Sequence, residues 1–234
     1  MPKQRKILVT GGCGYVGSVL APQLARKAPV IVLDFMAFGN HLGNIPNITT
    51  VNGDIRDRDL VHSILREATD VVHLAAIAND PSSDLDPNLT YQVNRDAVQV
   101  LVELAKESGV GRFINASSSS VYGVKEEDSV TEDLSLSPLT LYAKLKAESE
   151  KIVREAASDD FAVVSVRSAT VCGVSPRMRF DVIVNMMAKM AAAGETVTVW
   201  GGEQQRPNIH IEDVADLYEL LLDAPADKIN GRMY

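Results

Sequence analysis

Tyr142-Ala143-Lys144-Leu145-Lys146 puts a phenol and an ammonium four residues apart, on one face of any helix that runs through them. A tyrosine with its ordinary pKa of ~10 is a poor base at neutral pH. A neighbouring ammonium, joined by a second cation, stabilises the phenolate. Lowering the pKa by ~3 units takes roughly 4 kcal/mol, and two close cations in a water-poor site are of that order. Alone, the pair is a weak signal. Upstream, however, Phe113-Ile114-Asn115-Ala116 runs into Ser117-Ser118-Ser119-Ser120-Val121-Tyr122-Gly123. Four hydroxyls at the carboxyl end of an apolar run are placed to hydrogen-bond a substrate oxygen beside a base. The plainer alternative is a solvated serine turn.

A second constellation lies at the other end of the chain, where residues 6–17 read KILVTGGCGYVG. The apolar run Ile7-Leu8-Val9 enters a loop with glycines at 11, 12, 14 and 17, and Ser18-Val19-Leu20-Ala21 starts a helix-like segment. Unpaired N–H groups and the helix dipole make such a turn an anion site, usually for a dinucleotide pyrophosphate. The spacing is Gly11-x-x-Gly14-x-x-Gly17, not the GxGxxG of most Rossmann dehydrogenases. Asp34 ends the next apolar run, Val30-Ile31-Val32-Leu33. A carboxylate there accepts from the adenosine ribose hydroxyls and repels a 2′-phosphate, so NAD is expected rather than NADP. No Arg or Lys follows in the next ten residues to reverse that choice; the alternative is that Asp34 caps a turn. Asp54-Ile55 and Leu74-Ala75-Ala76 close further strand-like runs, where ligands of open α/β sheets bind. His73 reads as buried packing. No second ligand is spaced to join it, and no metal site is expected.

These groups need a scaffold. Short apolar runs near 7–9, 30–33, 51, 71–74, 113–114 and 162–166 lack strict alternation, as strands buried on both faces do. Helical patterns lie between them at about 16–27, 57–68, 92–108 and 140–157. This βαβ alternation predicts an α/β fold, a doubly wound parallel Rossmann sheet with helices on both faces. After Arg167 the pattern changes. Phe180 to Ala193 reads as a helix ended by Gly194, Thr196 to Trp200 as a short strand, and Glu212 to Leu222 as another helix. The expected division is an NAD-binding domain over 1–170 and a small, partial substrate lobe over 171–234, interleaved with the last Rossmann elements.

Composition narrows the function classes. At 234 residues, 46% apolar and 23% charged, the chain is ordinary for a globular protein. A net charge of −8 argues against a nucleic-acid or membrane-surface role, which wants a basic face. With two cysteines, Cys13 in the glycine loop and Cys172, a reducing cytoplasm is expected rather than a disulfide framework. The basic start MPKQRK carries no apolar stretch of a secretory signal, and no run approaches the ~20 apolar residues of a membrane span.

Taken together, Thr10-Gly-Gly-Cys-Gly-Tyr-Val-Gly17, Asp34, Gly53-Asp54-Ile55, His73-Leu-Ala-Ala76, Ser117 to Gly123, Tyr142 to Lys146 and Arg206-Pro-Asn-Ile-His-Ile-Glu-Asp213 cover nearly the whole chain. In this order they resemble the extended short-chain dehydrogenase/reductases of the nucleotide-sugar epimerase/dehydratase family, UDP-glucose 4-epimerase-like. The resemblance implies roles. Tyr142 would be the acid/base, Lys146 its electrostatic partner and nicotinamide-ribose ligand, and Ser118, four residues before the Tyr122-Gly123 pair, the assisting hydroxyl. Cofactor contacts would fall on Gly11, Gly14, Tyr15, Val16, Gly17, Asp34, Asp54, Ile55, Leu74, Ala75, Ala76 and Asn94, with Tyr142 and Lys146. Substrate contacts would fall on Ser118, Ser119, Ser120, Thr170, Arg177 and Arg206.

The departures from the family are as informative. Its dehydratases carry an acidic pair after the catalytic hydroxyl, where this chain has Ser119 and Ser120. Arg167 to Gly173 resembles the family's R-Y-F-N-V-Y-G with Thr170 for asparagine and Cys172 for tyrosine. Ser175-Pro-Arg-Met-Arg-Phe-Asp181 resembles one subgroup; Arg177 and Arg179 there either face phosphates or are solvated. Family members usually continue past Tyr234, so the chain is either truncated or a natural short form. The expectation is an NAD-dependent 4-epimerase of a UDP-hexose, by resemblance a homodimer through the helices near 92–108 and 140–157. The rivals are a 4-keto-sugar reductase and a non-catalytic NAD-binding protein.

Overall fold

The computed structural model describes residues 3–199 and 201–234. In chain order the elements are β1 (Ile7–Thr10), α1 (Gly17–Leu24), β2 (Val30–Asp34), β3 (Ile48–Asn52), α2 (Arg58–Leu65), β4 (Asp70–His73), α3 (Asp80–Leu85), α4 (Pro87–Tyr91), a π-helical turn (Gln92–Asp96), α5 (Ala97–Glu107) and β5 (Arg112–Ala116). A 3₁₀ turn (Ser119–Tyr122), α6 (Leu141–Glu155), β6 (Ala162–Val166), β7 (Thr170–Cys172), α7 (Ile183–Ala192), β8 (Asn208–His210), α8 (Ile211–Asp223), α9 (Ala226–Ile229) and β9 (Arg232–Met233) follow.

Seven strands form one parallel sheet in the order β3-β2-β1-β4-β5-β6-β9. β1, β4 and β6 are buried along their whole length, which is why their sequences run apolar without alternation. One core layer joins α1 and α8 to the sheet through Leu20, Leu24, Val214, Tyr218 and Leu221. The other joins α2 and α5 through Val61, Leu65, Val98, Leu101 and Phe113. The strand order reverses between β1 and β4, and the crevice outside their carboxyl ends is where such sheets bind ligands. The loops after these strands cross closely there. Gly11 has φ +72°, and a Cβ on it would lie 2.6 Å from the Ala75 amide nitrogen, so the position requires glycine.

The doubly wound sheet matches the expectation, while smaller elements depart from it. Thr196 to Val199 form no strand, and Trp200 lies outside the described residues. The alternation of β-branched residues there finds no neighbouring strand, and pairing, not propensity, makes a strand. β7 and β8 form a separate two-stranded parallel ladder, Thr170 to Asn208 through Cys172 to His210. Among the described residues, no helix is long and apolar enough to cross a membrane.

Candidate active site

A cleft of about 760 Å³ runs along the carboxyl ends of the strands. At one end it is floored by the glycine loop and the start of α1. The N-cap of α1, Val16, makes no side-chain cap and its first turn holds no acidic residue. By contrast α2 and α6 are closed by the side chains of Asp57 and Thr140. Ser18 N and Val19 N already reach the Gly14 and Val16 carbonyls at 3.0 and 3.1 Å, so what the turn offers an incoming anion is the positive end of the α1 dipole with no side chain over it. Asp34, at the end of β2, orders the loops around it: its carboxylate accepts from Cys13 N at 2.9 Å and Met36 N at 2.6 Å. Asp54 is held by the Arg56 guanidinium, which keeps its carboxyl below the usual range despite partial burial.

At the other end stand Ser118, Tyr142 and Lys146. Lys146 is buried, and its ammonium donates to the Ala116 carbonyl at 2.6 Å. Burial pulls its pKa down to about 8, and the Glu150 carboxylate one turn on resists that fall. The Lys146 nitrogen lies 5.8 Å from the centre of the Tyr142 ring. Burial raises the Tyr142 pKa; the Arg179 guanidinium and the Ser118 hydroxyl pull it down, and Asp80 raises it. Arg179 is thus a further cation acting on the phenol beside the Lys146 ammonium. His73 is driven to about 3 by burial and then by Lys146, so it stays neutral; its Nδ1 pairs with the Thr10 hydroxyl at 2.7 Å.

Behind the reacting end lies a buried ion pair. Glu150 and Arg167 meet at 2.8 and 2.9 Å, with side chains 3% and 6% exposed. Ser117 donates to the same carboxylate at 2.5 Å, and Arg167 reaches the Tyr122 hydroxyl at 2.9 Å. This network fixes the loop that carries Ser118 to the helix that carries Tyr142 and Lys146.

The profile of the NAD-dependent epimerase/dehydratase family matches residues 7–234. The chain belongs to that family. A UDP-glucose 4-epimerase of Streptomyces lividans is 30% identical over 92% of this chain and 69% of its own length. Among solved structures, a UDP-N-acetylglucosamine 4-epimerase of Methanobrevibacter ruminantium, complexed with UDP-N-acetylmuramic acid, superposes with a TM-score of 0.89 at 28% identity. That match covers 99% of this chain and 76% of the other. The dTDP-glucose 4,6-dehydratase DesIV of Streptomyces venezuelae, solved with NAD, gives 0.86 at 29% identity, covering 98% and 74%.

The epimerase/dehydratase family uses NAD, and the residues present fit it: the uncapped α1 terminus suits a pyrophosphate, and Asp34 suits a ribose without a 2′-phosphate. The cleft gathers Gly11, Gly14, Tyr15, Val16, Gly17, Asp34, Asp54, Ile55, Leu74, Ala75 and Ala76 with Ser118, Tyr142, Lys146, Thr170 and Arg177. It does not gather four other predicted positions. Asn94 is buried in the π-helical turn and bonds the Ile77 main chain in both directions, at 2.9 Å each, which places the lining loop. Ser119 and Ser120 form the 3₁₀ turn below Ser118, with the Ser120 hydroxyl donating to that of Ser118 at 3.0 Å. Arg206 is exposed and away from the lining.

Sequence reasoning missed Glu150 with Arg167, and Tyr218; Arg179, left there between facing phosphates and being solvated, lines the cleft. Glu150 could have been found, because Tyr142, Lys146 and Glu150 repeat at i, i+4 and i+8. Tyr218, 1% exposed, stands in the lining from α8; its burial raises its pKa and keeps it neutral.

Proposed function

We propose that the chain epimerises a nucleotide sugar at C4, with a UDP-hexose as substrate, through a transient 4-keto sugar. The observation that carries this reading is the acid–base inventory of the cleft. Its lining carboxylates are Asp34 and Asp54, both at the adenosine end. The reacting end holds a phenol, a hydroxyl and an ammonium in Tyr142, Ser118 and Lys146. One proton shuttle suffices to make and unmake a ketone. Eliminating water needs a further acid and base, and residues 119 and 120 are serines.

In this reading Tyr142, as phenolate, takes the C4 hydroxyl proton while Ser118 hydrogen-bonds the same oxygen. Lys146 holds the nicotinamide ribose and the positive charge that favours phenolate. Bound NAD accepts the C4 hydride and returns it. The keto sugar turns over in between, so the hydride arrives on its other face and Tyr142 gives the proton back. Protons and electrons balance within the cycle, and no external oxidant is consumed. Residues 1–170 are read as the NAD-binding domain and 171–234 as part of the substrate lobe. We also read the protein as cytoplasmic, since Cys13 and Cys172 are both free thiols. A homodimer through α5 and α6 completes the reading; their outward positions, such as Gln99, Glu103, Glu148 and Lys151, would make the contact polar. A clean monomer in equilibrium sedimentation overturns the dimer.

The test is a panel of UDP-, GDP- and dTDP-hexoses with products resolved by NMR. Turnover of a UDP-hexose without added cofactor is expected. Tyr142→Phe should lose a factor of roughly 10²–10⁴ while keeping its fold and NAD. Turnover that consumes added NADH would point instead to a keto-sugar reductase, and a Tyr142→Phe protein that keeps most of its activity refutes the mechanism.

A further inference from the structure

Two arginines of the segment 175–181 line the cleft in different states. Arg179 is ion-paired: it grips Asp181 through Nε at 3.1 Å and Nη2 at 2.5 Å, and Asn79 donates to the same carboxylate at 2.8 Å. Arg177 has no such partner among the described residues. Its guanidinium lies over the Phe38 ring, 3.9 Å from the centroid, and makes one long hydrogen bond of 3.3 Å to the Met178 carbonyl. Of its five donors, most are left for a ligand. Burial and then the charge of Arg179 make its own charge costly, while Asp181 and Asp34 favour it. An anion in the cleft would offset that cost.

The segment is pinned to the dinucleotide loop. Ser175 donates to the Tyr15 carbonyl at 2.7 Å and shares a 2.8 Å bond with the Ser18 hydroxyl. The Tyr15 hydroxyl donates to the Gly173 carbonyl at 2.8 Å and accepts from Asn185 at 2.9 Å. Asn185 in turn accepts from Gly173 N at 3.0 Å. Arg177 therefore leaves the main chain two residues after a side chain bonded at the start of α1, where a pyrophosphate binds. Phe38, 68% exposed, comes from the other half of the chain, four residues past Asp34. Together they bridge the adenosine end of the cleft.

We propose that Arg177, stacked on Phe38, clamps the bound dinucleotide by placing its guanidinium on the pyrophosphate, so that it retains the cofactor and does not contact the sugar nucleotide. This rests on NAD occupying the cleft. The full-length protein, Arg177→Ala and Phe38→Ala are purified, their nucleotide content per chain is measured after heat release, and dissociation of radiolabelled NAD is followed in a chase with unlabelled NAD. UDP affinity is measured calorimetrically on the same samples. Arg177→Ala should release NAD roughly ten- to a hundredfold faster, as loss of a charge-assisted hydrogen bond implies. Phe38→Ala should move the same way by a smaller factor, and UDP affinity should stay within about twofold. A dissociation rate unchanged in Arg177→Ala overturns the clamp, as does a fall in UDP affinity with NAD retention intact. Unmodified protein that neither carries nor takes up NAD overturns the cofactor assignment itself, a result distinct from either.

Discussion

Replacing Lys146 by methionine should abolish turnover and make the nucleotide-free protein more stable. The ammonium sits in the core, and burial lowers its pKa from 10.5 to about 8. Each pKa unit is worth about 1.36 kcal/mol, so charging Lys146 at pH 7 costs the fold roughly 3 kcal/mol. Methionine removes that cost and fills similar volume, but it leaves the Ala116 carbonyl without its 2.6 Å donor, worth about 1 kcal/mol. The net gain is roughly 2 kcal/mol, or about 4–8 °C in Tm for a chain of this size. The pH dependence carries the sign. Between pH 8 and 10.5 the unfolded chain binds this proton and the folded chain does not, so unmodified protein gains stability as pH rises through that window. The Lys146→Met protein lacks the effect, and its advantage should be complete below pH 8 and gone by about pH 10.5. Urea denaturation of both proteins at pH 7, 9 and 10.5, after stripping nucleotide, reads the difference directly. A Lys146→Met protein that is less stable at pH 7, or an advantage that does not change with pH, would refute the reasoning.

Two further outcomes test the surroundings of the site. Glu150→Leu should cost about 3–5 kcal/mol in urea denaturation, because it strands the buried Arg167 charge, whereas Glu150→Leu with Arg167→Met should recover most of it; a neutral single variant would show the pair to be uncoupled. The His73 ring should show no NMR titration between pH 8 and 5, since its folded pKa is about 3. As the unfolded ring binds a proton below 6.5, this residue withdraws stability as pH falls from 6.5 toward 3, by up to about 1.4 kcal/mol per pH unit; His73→Leu should flatten that slope.

The sheet was legible because strands buried on both faces and helices buried on one leave different periods in the sequence, as Ala162–Val166 and Ala97–Glu107 illustrate. The glycine loop was legible because its residue types answer to backbone crowding: Gly11 must let Ala75 pass. Residues 196–199 misled because β-branched alternation describes a strand's surface and not its partner. β7 and β8, three residues each, are too short for any period. Arg177 and Arg179 are alike in sequence and unlike in the fold, because what separates them is a partner, Asp181 for one and the Phe38 ring for the other. The pairing of Arg177 with Phe38, across 139 residues, leaves no trace in local pattern.

The web joining Tyr15 and Ser18 to Gly173, Ser175 and Asn185 bears on re-engineering. Anyone transplanting a foreign lobe to change sugar preference would be cutting through hydrogen bonds that also shape the nucleotide cradle. Positions 173, 175 and 185 would have to travel as a set matched to 15 and 18. The freedom to retarget this scaffold is therefore narrower than a two-part division of the chain would suggest.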